Sequence, residues 1–203
     1  MKKYAVLHEP GDIVTLAGTR FVVLDVERRG SLPDSLFLLA LESVGASEFG
    51  SSNNYAESDL KKAVDKWLED MGKRGLDNAK LIPREIDLTT LDGSGCYGKL
   101  SVKAAPLTLD EAREYADIIP NAERWCWLAT GWSGPSKSDG DLALYVSSSG
   151  GWSYDLCSVS YGVRPALKIP SDLLLDSADK PDLSEVPTDT LLEEIRRRVV
   201  DKA

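Results

Sequence analysis

A chain of 203 residues with a net charge of −9 can bury a genuine core and has room for one ordinary domain plus an appendage. Its 42% hydrophobic and 28% charged residues are the proportions of a soluble globular protein. The negative charge argues against nucleic-acid phosphate and anionic membrane surfaces as partners, because both are met by clustered Lys and Arg.

Met1, Lys2 and Lys3 are a basic start, but His8, Glu9, Pro10, Gly11 and Asp12 follow where a signal peptide needs an apolar run, so none is expected. No stretch reaches the roughly 20 apolar residues that span a bilayer, and membrane insertion is not expected. Residues 13–17 and 20–26 are β-rich runs around Gly18-Thr19, which predicts a hairpin. The apolar run at residues 36–41 adds a buried strand, completing a three-stranded antiparallel meander.

Residues 45–54 read as a polar loop leading into a helix over 58–71. Ser58 is its N-cap, and Leu60, Val64, Trp67, Leu68 and Met71 recur at helical spacing as the buried stripe. Asn53, Asn54 and Tyr55, just before it, suit a binding loop or a capping turn equally. Residues 81–83 and 85–90 read as an extended connection, and 92–95 as a turn. A second helix is expected over 108–116, with Thr108 and Glu111 as a capping box and Leu109, Ala112 and Ala116 facing inward. Pro120 prevents its continuation.

Strands are expected from residue 125 onward: 125–128, 142–146, a strand or loop over 152–159, and a closing strand over 163–169 with an edge or bulge at Pro165. Residues 170–187 have the Asp, Ser and Pro content of a linker. Residues 190–200 then read as a short amphipathic helix, with Thr190 and Glu193 as a capping box and Arg196, Arg197 and Arg198 at its dipole-favoured end. A helix so short is marginal alone, so it should pack on its own domain or on a neighbouring subunit.

Four of the five tryptophans lie within residues 125–169, interleaved with Ser, Gly and Tyr. Large aromatics beside adaptable Ser, Gly and Asp are the composition of antibody paratopes. On that ground Trp132, Ser136, Ser138, Asp139, Tyr145, Trp152, Tyr154, Asp155, Ser158, Ser160 and Tyr161 are the candidate ligand-binding residues. Trp125 and Trp127 are expected in the core, and Trp152, Tyr154 and Tyr161 at the surface. Arg164, between Val163 and Pro165, is expected to pin the fold by a buried or bidentate pair with an acidic partner, either Asp25 or one near the second helix.

Chemistry finds less support. His8 is the only histidine, so the middle of the chain lacks the base of a Ser-His-Asp or Cys-His site. No phosphate-cradling glycine loop is present. Cys96, Cys126 and Cys157 are an odd set without CxxC spacing, which points to reduced thiols and cytoplasmic synthesis. A protein then displayed on a phage particle or a cell surface would carry the same thiols. Asp139, Asp141 and Asp155 could offer oxygens to calcium, but their spacing matches no calcium loop, and no cofactor is expected.

The run of motifs Asn53-Asn54-Tyr55 with Ser58-Asp59-Leu60, residues 107–112, 125–128, 143–146 and Gly162-Val163-Arg164-Pro165-Ala166-Leu167 resembles an uncharacterised bacterial and prophage domain family. The resemblance covers about residues 11–169, and the closing Gly-Val-Arg-Pro element is its most specific part. It implies an α+β, C-type-lectin-like fold of two helices and twisted antiparallel sheets. The fold is similar to that of formylglycine-generating enzymes and of the variable proteins of diversity-generating retroelements. On this reading residues 1–169 form the lectin-like domain, 170–187 a linker and 188–203 a C-terminal helix. The resemblance implies a display protein that binds a protein or glycan, with some of residues 132–161 diversified. Two alternatives stand beside it. One is a formylglycine-generating-type oxidase using Cys126 and Cys157, although no motif links them to copper. The other is an assembly module that forms homo-oligomers through the terminal helix.

Overall fold

The structure is a computed structural model that describes residues 2–4, 8–29, 32–135 and 139–177. The C-terminal helix expected over 188–203, most of the linker, and the candidate residues Ser136 and Ser138 lie outside the described residues. The described chain is α+β with mostly antiparallel sheets.

The N-terminal meander forms as its turn chemistry dictates. β2 (Ile13–Leu16) and β3 (Thr19–Arg29) are joined by Ala17 and Gly18, both at positive φ (47° and 76°), the tight reversal whose twist matches that of paired strands. β4 (Leu32–Ala40) pairs antiparallel with β3. The large sheet is completed by β1 (Lys2–Tyr4), β8 (Ala104–Ala105), β13 (Ala166–Pro170) and β14 (Leu174–Ser177), in the order β1-β14-β2-β3-β4-β13-β8. The folded unit therefore runs into the segment read as linker, because β14 returns to pair with β1 and β2.

Side chains alternate across this sheet, and both faces are buried. Phe21, Val23, Leu36 and Leu38 face one cluster, which α1 (Asp59–Lys73) covers with Leu60, Val64, Trp67 and Met71. Val22, Leu24, Phe37 and Leu39 face the other, covered by Leu109 and Ala112 of α2 (Leu109–Glu114). Both helices begin at the expected caps. Ser58 Oγ accepts from Lys61 N at 2.9 Å, and Thr108 with Glu111 forms a reciprocal capping box. Ala116 falls beyond the end of α2 and is exposed, not inward-facing as its spacing suggested.

A five-stranded sheet is built from β5 (Gly45–Glu48), β9 (Cys126–Gly131), β10 (Leu142–Val146), β11 (Trp152–Leu156) and β12 (Ser160–Val163), in the order β11-β10-β9-β12-β5. β6 (Arg84–Asp87) and β7 (Lys99–Val102) form a separate hairpin where an extended connection was expected. The closing strand expected over 163–169 is in fact two strands. The chain ends β12 in the smaller sheet, crosses at Arg164 and Pro165, and enters the larger sheet as β13. Ala40 N donates to Pro165 O at 2.8 Å, so the proline carbonyl is used although its nitrogen cannot donate.

Candidate functional site

β11 is an edge strand, held to β10 with Val146 opposite Trp152, Leu144 opposite Tyr154 and Leu142 opposite Leu156. A tight loop closes this hairpin: Gly150 adopts φ +85°, and Ser147 Oγ accepts from Gly151 N at 3.1 Å. Alternation along β11 sends Trp152, Tyr154 and Leu156 to one face, where they are 44%, 46% and 46% exposed. An edge strand normally sheds such side chains, so their exposure here is informative. Trp132 extends the row, its ring 4.0 Å from that of Tyr154, and the Arg113 guanidinium of α2 lies 5.5 Å over Trp152. The result is an aromatic ridge from the loop after β9 to α2.

The opposite face of the same sheet carries the second group. Tyr145 stacks beneath Trp125, with centroids 4.9 Å apart and planes 6° from parallel. Tyr161 touches Tyr145 and Trp127 and donates its hydroxyl to Asp155 Oδ2. Burial, reinforced by the Asp155 carboxylate, pushes the Tyr161 phenol up and keeps it a donor. Beside this cluster an open groove of about 510 Å³ is lined by Glu123, Arg124, Trp125, Ser148, Ser160 and Tyr161.

The predicted residues thus separate into two groups. Trp132, Trp152 and Tyr154 meet on the ridge, whereas Tyr145, Asp155, Ser160 and Tyr161 meet around the groove. Ser158 is exposed in the turn between β11 and β12, and Asp139 is partly buried in the turn before β10. Two expectations are corrected. Tyr145, taken as a ligand-binding residue, is 8% exposed because Trp125 covers it. Trp125, taken as core, is 42% exposed because it stands one residue before β9, whereas Trp127 is buried. Glu123, Arg124 and Arg113 were missed; they lie outside the Ser/Gly/aromatic stretch that drew attention, and only folding brings them to it.

Asn53 belongs to the scaffold under this surface. It is buried, donates from Nδ2 to Ser133 O and Leu142 O at 2.9 Å each, and accepts from the Tyr97 hydroxyl at 2.6 Å. Asn54 caps the short 3₁₀ turn Tyr55–Glu57 through Ala56 N. The pair is therefore structural and not a binding loop.

No acidic side chain among the described residues contacts Arg164: its Nε donates to Ala40 O at 2.7 Å, and Asp25 instead accepts from Val26 N. Arg84, unremarked in the sequence, fills that role. Buried on β6, it pairs with Glu111 of α2, donates to Ala105 O and Pro106 O, and lies 5.1 Å over Phe37.

Cys126 and Cys157 are free and buried. Burial raises the Cys126 thiol, and burial with the Asp141 charge pushes Cys157 up to about 12, so both stay protonated at neutral pH and are poor nucleophiles. Among the described residues no three His, Cys, Asp or Glu side chains are grouped to hold a metal ion. Likewise no described helix is long and apolar enough to cross a membrane. Compared with known proteins, the chain matches no family model, no curated protein and no solved structure.

Proposed function

We propose that this chain is a ligand-binding display protein of C-type-lectin-like fold that recognises a protein or a glycan through the aromatic surface of its five-stranded sheet. The fold assignment draws on the sequence resemblance. It is supported by two helices on a mainly antiparallel framework and by strands β1 and β14 pairing near the two ends of the described chain.

The observation that carries the reading is the placement of exposed apolar side chains. Of the five large hydrophobics that are exposed among the described residues, Trp125, Trp152, Tyr154 and Leu156 belong to this one sheet or its immediate entry. Aromatic side chains left in water on an ordered strand are the anchors that recognition surfaces use. Trp152, Tyr154 and Leu156 share one face; on the other, Ser148, Ser160, Glu123 and Arg124 supply adaptable hydrogen bonds around Trp125.

Glycan and protein arrays probed with the full chain test the proposal, alongside a Trp152→Ser/Tyr154→Ser variant. Binding that is saturable for the native chain and weakened at least about tenfold in the variant is expected, as for loss of a hot spot. Equal binding by a variant that melts normally would remove the proposed surface. Diversification by a retroelement is part of the same proposal. It requires a neighbouring reverse-transcriptase gene with a template copy of the region encoding β10 to β12, and genomic context without one would sink it.

A further inference from the structure

Beneath the seam where β12 passes into β13 lies a cavity of about 90 Å³, lined by Arg164, Cys126, Leu128, Val146, Trp152 and Ala116 among others. Its walls come from the smaller sheet, from Leu39 of β4, and from α2 with the segments on either side of it, and apart from Arg164 and Asn121 the lining side chains are apolar or weakly polar. Arg164 itself is only 7% exposed. Its Nε is occupied by the Ala40 carbonyl, but its Nη2 is buried without a hydrogen-bond partner, and no carboxylate among the described residues pairs with it.

We propose that this cavity binds a small organic carboxylate, whose oxygens meet the free edge of the Arg164 guanidinium and whose short hydrocarbon body fills the apolar remainder. A buried cation that touches no carboxylate is a costly group, and Glu42 favours its charge only from beyond ion-pair distance. Desolvation already works against its charge, holding the guanidinium below its ordinary value. Water alone would answer the N–H but not the charge, and beyond Asn121 the lining side chains offer few of the two to four polar partners an ordered water needs. A carboxylate answers both, because its paired oxygens match the guanidinium edge.

The volume sets the size: at roughly 15 Å³ for each water-sized occupant, the cavity holds about six non-hydrogen atoms. A four-carbon monocarboxylic acid, with six non-hydrogen atoms, fits, and a five-carbon one, with seven, marks the upper limit. A phosphate ester does not, since its further charges would find a single guanidinium and an apolar wall.

The test is calorimetric titration and thermal melting of the full chain with butyrate and isovalerate, against butyramide as the uncharged match. The acids are expected to bind saturably, to raise the melting temperature, and to bind at least tenfold more tightly than the amide. Ala116→Phe, at an exposed position on the rim, leaves Arg164 untouched and should abolish binding by blocking the cavity. Arg164→Met should abolish it too, but this variant alone decides nothing if it fails to fold. The proposal is overturned if neither acid binds, if acid and amide bind alike, or if Ala116→Phe binds as the native chain does. Trp152 belongs to both the cavity wall and the ridge, and Ala116→Phe separates the two: array ligands that still bind with the cavity blocked leave the recognition reading intact whatever the acids do.

Discussion

Trp125 lies flat on Tyr145, its plane 6° from parallel, while Trp127 two residues on is sealed inside and donates its indole N–H to Ser47 O at 3.0 Å. One is a lid on the sheet and the other part of its core, where Phe49 meets Trp127 edge-on at 5.6 Å. Trp127→Ala should therefore cost about 3–5 kcal/mol, the usual range for emptying a large aromatic from a core. Trp125→Ala should cost about 0.5–1.5 kcal/mol, the worth of the lost aromatic pair. Urea denaturation of the two variants checks the ranking. A Trp125→Ala loss as large as that of Trp127→Ala would mean that the lid is structural.

Stability should fall in acid partly through Glu27. This carboxylate on β3 reaches across β4 to Lys168 on β13 and also accepts from Ser35 Oγ at 2.7 Å. Those hydrogen bonds, Lys168 first, hold its pKa below the ordinary 4.5. A depressed folded-state pKa contributes stability that is fully present above the unfolded value and lost as pH falls through the folded one. Glu27→Gln should thus be less stable than the native chain at pH 7, with the difference shrinking below about pH 4.5. Both side chains are partly solvated, so the difference should also shrink at high salt. Melting curves across pH and ionic strength read both effects, and a difference unchanged at pH 3 would exclude this linkage.

Asn53 and Asn54 are neighbours with unequal work. Asn53→Ala removes three hydrogen bonds and takes a partner from the Ser133 carbonyl and the Tyr97 hydroxyl, while the Leu142 carbonyl keeps its bond from Trp132 N. A loss of about 2–4 kcal/mol is expected for a group left so poorly replaced. Asn54→Ala removes one cap bond to Ala56 and should cost about 1 kcal/mol. Near-equal losses in denaturant titrations would contradict the cross-linking role of Asn53. Because this side chain ties the chain before α1 to the loops around β10, its loss should also loosen the aromatic ridge. Faster amide exchange in β10 and β11 would report that.

What could be read from the sequence was local. The meander, both helices and both caps follow from turn residues, apolar spacing and side-chain hydroxyls acting within a few positions of themselves. Pairings between distant segments left no such mark. β5, Gly-Ala-Ser-Glu, carries no apolar alternation, and it is a strand because β12 offers it an edge. The run from Val163 to Ile169 is mostly apolar apart from Arg164 and Lys168 and reads as one strand with a bulge at Pro165, whereas the chain changes sheets at Arg164 and Pro165. The aromatic residues of the candidate site were legible from composition. Their division between two faces was not, since it depends on the register of β10 against β11 and on the bulge between β9 and β10.

Gly162 makes the closest approach on this seam. A Cβ there would stand 2.8 Å from Cys126 Sγ, 2.8 Å from Ser43 Oγ and 3.0 Å from Trp125 O. The first two are side-chain ends, whereas the third is backbone, tied by Gly162 N donating to that same carbonyl at 2.8 Å. Gly162→Ala should then destabilise the chain by about 1–3 kcal/mol, the range for overpacking a filled interior. Part of that strain comes from the Cys126 sulfur, so Cys126→Ala should relieve some of it, leaving the double variant more stable than the sum of the two single losses predicts. A coupling of about 0.5 kcal/mol or more in a double-mutant cycle, measured in urea, is the expected result. Strict additivity would assign the whole cost to Ser43 and the Trp125 carbonyl and would show that the thiol gives way freely.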